Sequence, residues 1–133
     1  MKLMLDTNIC IYIIKQQPVA VLKRFLEYQI GDICISSITL SELRYGVAKS
    51  SQKDKNAIAL DEFIVPLEVV SFDESAAHVY GNIRAALEKA GTPIGPMDML
   101  IAAHALSLGV PLVTNNTREF MRIPSLTCIN WIA

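Results

Sequence analysis

Met1-Lys2-Leu3-Met4-Leu5-Asp6-Thr7-Asn8-Ile9 is the stretch whose reading decides the fold. Leu3 to Leu5 run apolar without alternation, which is how a strand buried on both faces reads. The run then stops on a carboxylate. A buried strand has no use for a charge, whereas a turn, a helix start or a metal does. Asp6 therefore marks the exit of a first strand, Lys2–Leu5, and what gathers around that exit becomes the question.

Short apolar runs of the same kind recur along the chain. Ile33-Cys34-Ile35, Glu68–Ser71 with Val69-Val70, Pro111-Leu112-Val113 and Thr127–Asn130 read as four more strands. Helical patterns separate them: Pro18–Tyr28, Thr39–Ala48, Asp54–Ile64, Asp73–Ala90 and Pro96–Leu108. Asp73–Ala90 puts Ala76, Tyr80, Ile83 and Leu87 on one stripe and ends at Gly91, while Pro96–Leu108 opens on Gly95-Pro96 and ends at Gly109. Strands alternating with helices predict an α/β domain in three layers, α/β/α, around a central, mainly parallel sheet. At 133 residues the chain is expected to form a single domain, residues 1–133, with a core that needs no disulfide or structural metal.

Composition excludes several classes of function. Lys and Arg number 12 against 13 Asp and Glu, so the total charge of −1 carries no footprint of nucleic-acid binding. Apolar residues make up 52%, an excess that fits a buried parallel sheet plus at least one apolar contact surface. No run approaches the roughly 18 apolar residues of a membrane span. The N-terminal apolar run is broken at Asp6 and no small-residue cleavage site follows, so it does not read as a signal peptide. Cys10, Cys34 and Cys128 are odd in number and lack CxxC spacing, as expected of reduced thiols in a cytoplasmic protein.

The acids are placed more tellingly than they are numerous. Asp6 leaves the first strand, Glu42 lies early in the helix after the second, Asp98 opens another helix, and Glu119 follows the fourth strand. In an open α/β sheet the carboxyl ends of the strands and the adjoining helix starts share one edge, where ligands bind. Each acid also has a bland reading. Asp6 suits an N-cap, and Glu42 completes a capping box with Thr39 in Thr39-Leu40-Ser41-Glu42. Asp98 sits in a first helical turn, where the dipole favours an anion, and Glu119 can simply be solvated. Gathered on one edge the four would repel, unless a proton or a cation intervenes. Hard oxygen donors suit Mg²⁺ or Mn²⁺, the ions of phosphodiester hydrolysis.

Competing chemistries find less support. There is no GxxxxGK[ST], no GxGxxG after a strand and no GxSxG. His78 and His104 stand alone on helices without the further ligands that zinc requires. Four Tyr, four Phe and Trp131 are dispersed rather than set out as a stacking platform.

Four segments, in order and over nearly the whole chain, carry a resemblance: "MLDTNI" (4–9), "ISSITLSELRYG" (35–46), "PIGPMDMLIAAHA" (93–105) and "LVTNNTREF" (112–120). They resemble the PIN-domain toxins of the VapC type, and most closely the subgroup that cleaves initiator tRNA. The resemblance implies a Mg²⁺-dependent endoribonuclease, with Mn²⁺ able to substitute, held inactive by a VapB-like antitoxin. It further implies a homodimer that meets operator DNA only through the antitoxin. By motif match Asp6, Glu42 and Asp98 become metal-binding acids, joined by Asn116 and Glu119. Asn116 stands where many PIN domains carry a fourth Asp; it keeps an oxygen ligand but drops a charge, which weakens the case for a strongly held second metal. Thr7, Asn8 and Thr114 fall at supporting positions behind those ligands. Arg44, Lys49, Arg84, Arg118 and Arg122 are candidates for holding the RNA backbone. Two alternatives belong to other classes. A haloacid-dehalogenase-like phosphatase would use Asp6 as nucleophile but wants an Asp where Asn8 stands, and a non-catalytic binding domain would use the acids only as caps.

Overall fold

A computed structural model describes residues 1–132. Among them the chain order is β1 (Leu3–Leu5), α1 (Thr7–Lys15), α2 (Val19–Leu26), β2 (Ile33–Ser36), α3 (Ser37–Ala48), α4 (Lys53–Ile64), β3 (Glu68–Val70), α5 (Glu74–Ala90), α6 (Pro96–Leu108), β4 (Leu112–Val113), α7 (Thr117–Phe120) and β5 (Cys128–Ile129). All five strands form one sheet in the order β3-β2-β1-β4-β5. Every neighbouring pair is parallel, so the sheet is wholly rather than mainly parallel.

Successive residues of a strand face opposite sides, and β1 shows what that does. Leu3 and Leu5 join Ile33, Ile35 and Val113 in a core covered by α1 to α4. Met4 joins Cys34 and Leu112 in a second core under α5, α6 and α7. A strand that serves two cores has no polar face, which is why Leu3, Met4 and Leu5 are all apolar. The expected stripe of α5 lies on the second core: Ala76 and Leu87 are buried, with Tyr80 and Ile83 packed beside them.

The strand order sets the ligand edge. From central β1 the chain winds outward through β2 and β3, then returns to β1's other side for β4 and β5. The reversal leaves a crevice between the carboxyl ends of β1 and β4. Asp6 ends one of these strands and Thr114 the other.

Three sequence expectations need correction. No helix is expected directly after β1, because the unbroken apolar run Ile9-Cys10-Ile11-Tyr12-Ile13-Ile14 offers no polar positions from which a period could be read. Asp6 settles the matter as the N-cap of α1, accepting the Ile9 N–H at 2.9 Å. The four-residue α7 was too short to show a period. The third is the helix expected from Thr39: it begins at Ser37, because the Ser36 hydroxyl accepts the Ile38 N–H at 3.0 Å and is the true cap.

Candidate active site

With the cap at Ser36, the capping box of Thr39 and Glu42 does not exist. Both residues lie inside α3 three positions apart, on one face of the helix. That face turns toward the start of α1. The Thr7 hydroxyl donates to Glu42 Oε1 at 2.5 Å and lies 3.5 Å from the Thr39 hydroxyl. Glu42 is thus tied to the exit of β1 rather than to its own helix terminus.

Asp6 is 4% exposed. Burial pushes its carboxyl upward; the Thr114 hydroxyl and the Ile9 N–H hold it down, and the charge of Glu42 raises it again. Asp98 occupies the third position of α6, whose first is Pro96, and is half-buried. Its carboxyl is pushed up to about 6 by burial first, then by the charges of Glu119 and Asp6, by a hydrogen bond to Glu119 that only a protonated Asp98 can donate, and by the charge of Glu42. Those causes place the four acids within reach of one another. Asn116 completes the group: its side-chain N–H donates to Glu119 Oε2 at 3.1 Å, and its backbone N–H donates to the Thr114 hydroxyl at 2.9 Å.

Among the described residues no cation pairs with these acids. The ion pairs among the described residues are Lys2–Asp32, Arg24–Glu27, Arg44–Asp61 and Arg84–Glu88, and none includes Asp6, Glu42, Asp98 or Glu119. Nor, as the side chains stand, do three His, Cys, Asp or Glu among the described residues come together as a group that could hold a metal ion. The donors nevertheless fit a hard divalent ion. They are carboxylates, one carboxamide oxygen and hydroxyls, with no thiolate or imidazole, and the mutual repulsion that lifts Asp98 is what such an ion would relieve.

The remaining candidates separate. Thr7 and Thr114 contact site acids, whereas Asn8 is exposed and makes no side-chain hydrogen bond among the described residues. Arg44 is held by Asp61 at 2.8 Å, and Arg84 by Tyr80 at 3.0 Å and Glu88 at 3.4 Å. Lys49 lies 4.9 Å over the Tyr45 ring. Arg122 donates to the Pro93 carbonyl at 2.7 Å, tying the turn after α7 to the segment that leads into α6. Arg118, exposed on α7 between Asn116 and Glu119, has no such partner among the described residues.

Two polar contacts behind the acids were not anticipated from the sequence. The Asn115 side-chain N–H donates to the Tyr12 hydroxyl at 3.0 Å. His104, wholly buried on α6, lies 2.7 Å from the Ser36 hydroxyl. The Ser at a strand-to-helix junction was a readable signal; a lone His among alanines was not.

A family model described as PIN domain matches residues 3–126. The chain is 47% identical to a tRNA(fMet)-specific endonuclease VapC of Shigella flexneri, over 98% of both chains. It is also similar to a solved DNA-bound VapBC from Salmonella typhimurium, with 48% identity, 98% of each chain covered and a TM-score of 0.93. VapBC2 from Rickettsia felis, solved bound to a promoter DNA fragment, gives 42% identity and a TM-score of 0.90 over 98% of this chain and 99% of that one. This sets aside the phosphatase alternative, and the chain belongs to the PIN-domain family, in its VapC group.

Proposed function

We propose that this chain is a Mg²⁺-dependent endoribonuclease, the toxin of a toxin–antitoxin pair, acting as a single domain on tRNA and most readily on initiator tRNA. The observation that carries the chemistry is the set of four acids, without an ion-pair partner among the described residues, at the crevice between β1 and β4. Capping alone does not explain it: Asp6 is a cap, but Glu42 is not, and Glu119 makes its hydrogen bond to Asn116.

Asp6, Glu42 and Asp98 would hold the ion, with Asn116 and Glu119 beside them and Mn²⁺ able to substitute. A bound ion supplies Lewis acidity and offsets charge that develops on the phosphoryl and leaving oxygens. The chain supplies the geometry. The Ile9 N–H and the Thr114 hydroxyl fix Asp6, and Thr7 fixes Glu42. Asp98, its carboxyl pushed up to about 6, is mostly ionised at neutral pH, and a cation held there would relieve its repulsion from Glu119, Asp6 and Glu42. Hydrolysis adds water across the scissile P–O bond, and Arg118, which has no side-chain partner among the described residues, is the cation nearest in sequence to Asn116 and Glu119 for a backbone phosphate.

The relatives solved as VapBC complexes support a VapB-like antitoxin as partner, with operator DNA met through it. Exposed apolar side chains such as Tyr45, Val65 and Met121 offer surface for that partner and for a second copy in a homodimer. No helix among the described residues is long and apolar enough to cross a membrane. Cys10, Cys34 and Cys128 are free thiols, in keeping with the cytoplasm as the place of action.

The test is a brief pulse of expression followed by sequencing of RNA ends, alongside purified chain acting on total RNA with Mg²⁺ or with a chelator. The expected result is chelator-sensitive cleavage in a single-stranded loop of initiator tRNA. Uniform decay of messenger RNA with tRNA intact would overturn the substrate, and cleavage indifferent to chelation would overturn the chemistry.

A further inference from the structure

Buried histidine is an expensive choice on a helix that otherwise packs by alanine and isoleucine. On α6, Ile101, Ala102, Ala103 and Ala105 are buried around His104, and His104 itself is 0% exposed. An apolar residue would fill that space without desolvating two ring nitrogens. One nitrogen finds a partner, Nδ1 with the Ser36 hydroxyl at 2.7 Å, while Nε2 is buried with none. The ring packs edge-on to Phe72, with centroids 5.4 Å apart and planes at 76°.

The other partner of Ser36 leaves its hydroxyl able to donate to His104. Ser36 Oγ accepts the Ile38 N–H, so its own hydrogen is free to donate to Nδ1. His104 is then neutral and carries its hydrogen on Nε2, and burial, which lowers its pKa, acts in the same direction. The bond joins three things at once: the end of β2, the cap of α3 and the middle of α6. Ser37, the first residue of α3, adds a second tie by accepting the Phe72 N–H at 3.0 Å in the connection between β3 and α5.

The helices joined there carry the acids. α3 bears Glu42 and α6 bears Asp98, from segments far apart in sequence. We propose that His104 is a positioning residue: by accepting the Ser36 hydroxyl it locks the cap of α3 onto α6, and so sets where Glu42 stands relative to Asp98. This inference rests on the metal reading of those acids. It accounts for a histidine that stability alone does not favour, since its Nε2 is left unsatisfied.

The test uses the purified chain and Mn²⁺ alone, with free and bound ion separated by electron paramagnetic resonance, and melting curves taken in parallel. His104→Leu fills the space but removes the acceptor. It should melt as high as wild type or higher, yet weaken Mn²⁺ binding by about tenfold. His104→Asn places a carbonyl oxygen where Nδ1 stood but packs less well on Phe72; it should melt lower and retain most of the affinity. Ser36→Ala removes the same bond together with the α3 cap, so it should weaken Mn²⁺ binding at least as much as His104→Leu and melt lower, and adding His104→Leu to it should cost no further affinity. Wild-type Mn²⁺ affinity in His104→Leu, or in Ser36→Ala should the leucine variant fail to fold, overturns the positioning role. Additive losses in the double variant overturn it too. A wild-type chain that binds no Mn²⁺ overturns the metal reading itself, a result distinct from unchanged affinity among the variants.

Discussion

The two ends of the sheet treat their acids in opposite ways. At the amino end Asp32, just before β2, accepts the Gln29 N–H at 3.0 Å and pairs with Lys2 at 3.7 Å. At the carboxyl end Asp6, Glu42, Asp98 and Glu119 have no Lys or Arg in ion-pair contact among the described residues, and they face one another. One end spends its acid on structure. The other leaves a charge imbalance that the fold must tolerate, and tolerance of that kind marks a functional site.

Removing one charge from the unbalanced end breaks the contrast most sharply. Asp98→Asn should lower Mg²⁺-dependent RNA cleavage by at least about 100-fold, since an outer-shell change alone costs about 10–100-fold. The same substitution should stabilise the metal-free chain by about 1 kcal/mol, a rise of roughly 3–5 °C in Tm, once solvent screening of a half-exposed group is allowed for. A folded Asp98→Asn chain that cuts at the wild-type rate would remove Asp98 from the site.

Glu42 and its partner come next. Glu42→Gln keeps an acceptor for the Thr7 hydroxyl but loses the charge, so it should melt within about 0.5 kcal/mol of wild type and lose most cleavage. Thr7→Val keeps the charge but loses the hydroxyl that aims it, and should cut about tenfold more slowly. Equal rates for both variants and wild type would reduce Glu42 to a structural residue.

The pH response of the metal-free chain sharpens the comparison further. The Asp98 carboxyl sits at about 6 in the folded chain against an ordinary 3.8. The native state therefore holds more protons than the unfolded state across that interval, and stability falls as pH rises through it. The penalty is absent below the lower value and complete above the upper one. Denaturant melts of wild type and Asp98→Asn should converge near pH 4 and separate by pH 7, with the variant the more stable. A separation that narrows with rising pH would reverse the assignment of cause.

The smallest effect belongs to the amino end. Lys2 is exposed, so Asp32→Asn should cost less than about 1 kcal/mol and leave the cleavage rate unchanged. A large loss of cleavage there would erase the distinction between the two ends.

How legible all this was in the sequence depends on the scale of the signal. Strands buried on both faces announced themselves as unbroken apolar runs, and α5 and α6 by their stripe or their Gly and Pro boundaries. α1 did not, because Ile9 to Ile14 is apolar at every position although only Ile9, Cys10 and Ile13 are buried, so composition hides the helical period. The acids were legible by topology, since the ends of parallel strands share an edge. The role of Glu42 was not, because Thr-x-x-Glu spacing is identical for a capping box and for two residues that share a helix face. Only the position of Ser36 separates the two. Among the cations the sequence could name Arg44, Lys49, Arg84, Arg118 and Arg122 but not sort them. Sorting depends on partners such as Asp61 and Pro93, which lie far off in the chain.

The placement of β1 at the centre of the sheet has a consequence for how the protein is made. Asp6 is among the first residues to leave the ribosome, yet β4, its neighbour in the crevice, and Glu119 come near the end. At about 5–20 residues per second the interval between them is on the order of ten seconds. Through that interval a growing chain holds only part of the acid set and lacks one wall of the crevice. On the proposed metal reading of those acids, the nascent polypeptide has no complete site to turn on the RNA that surrounds it. On that reading the site is complete only when the last third of the chain has emerged and closed against the first strand, and a product cut short before Glu119 is expected not to cut RNA.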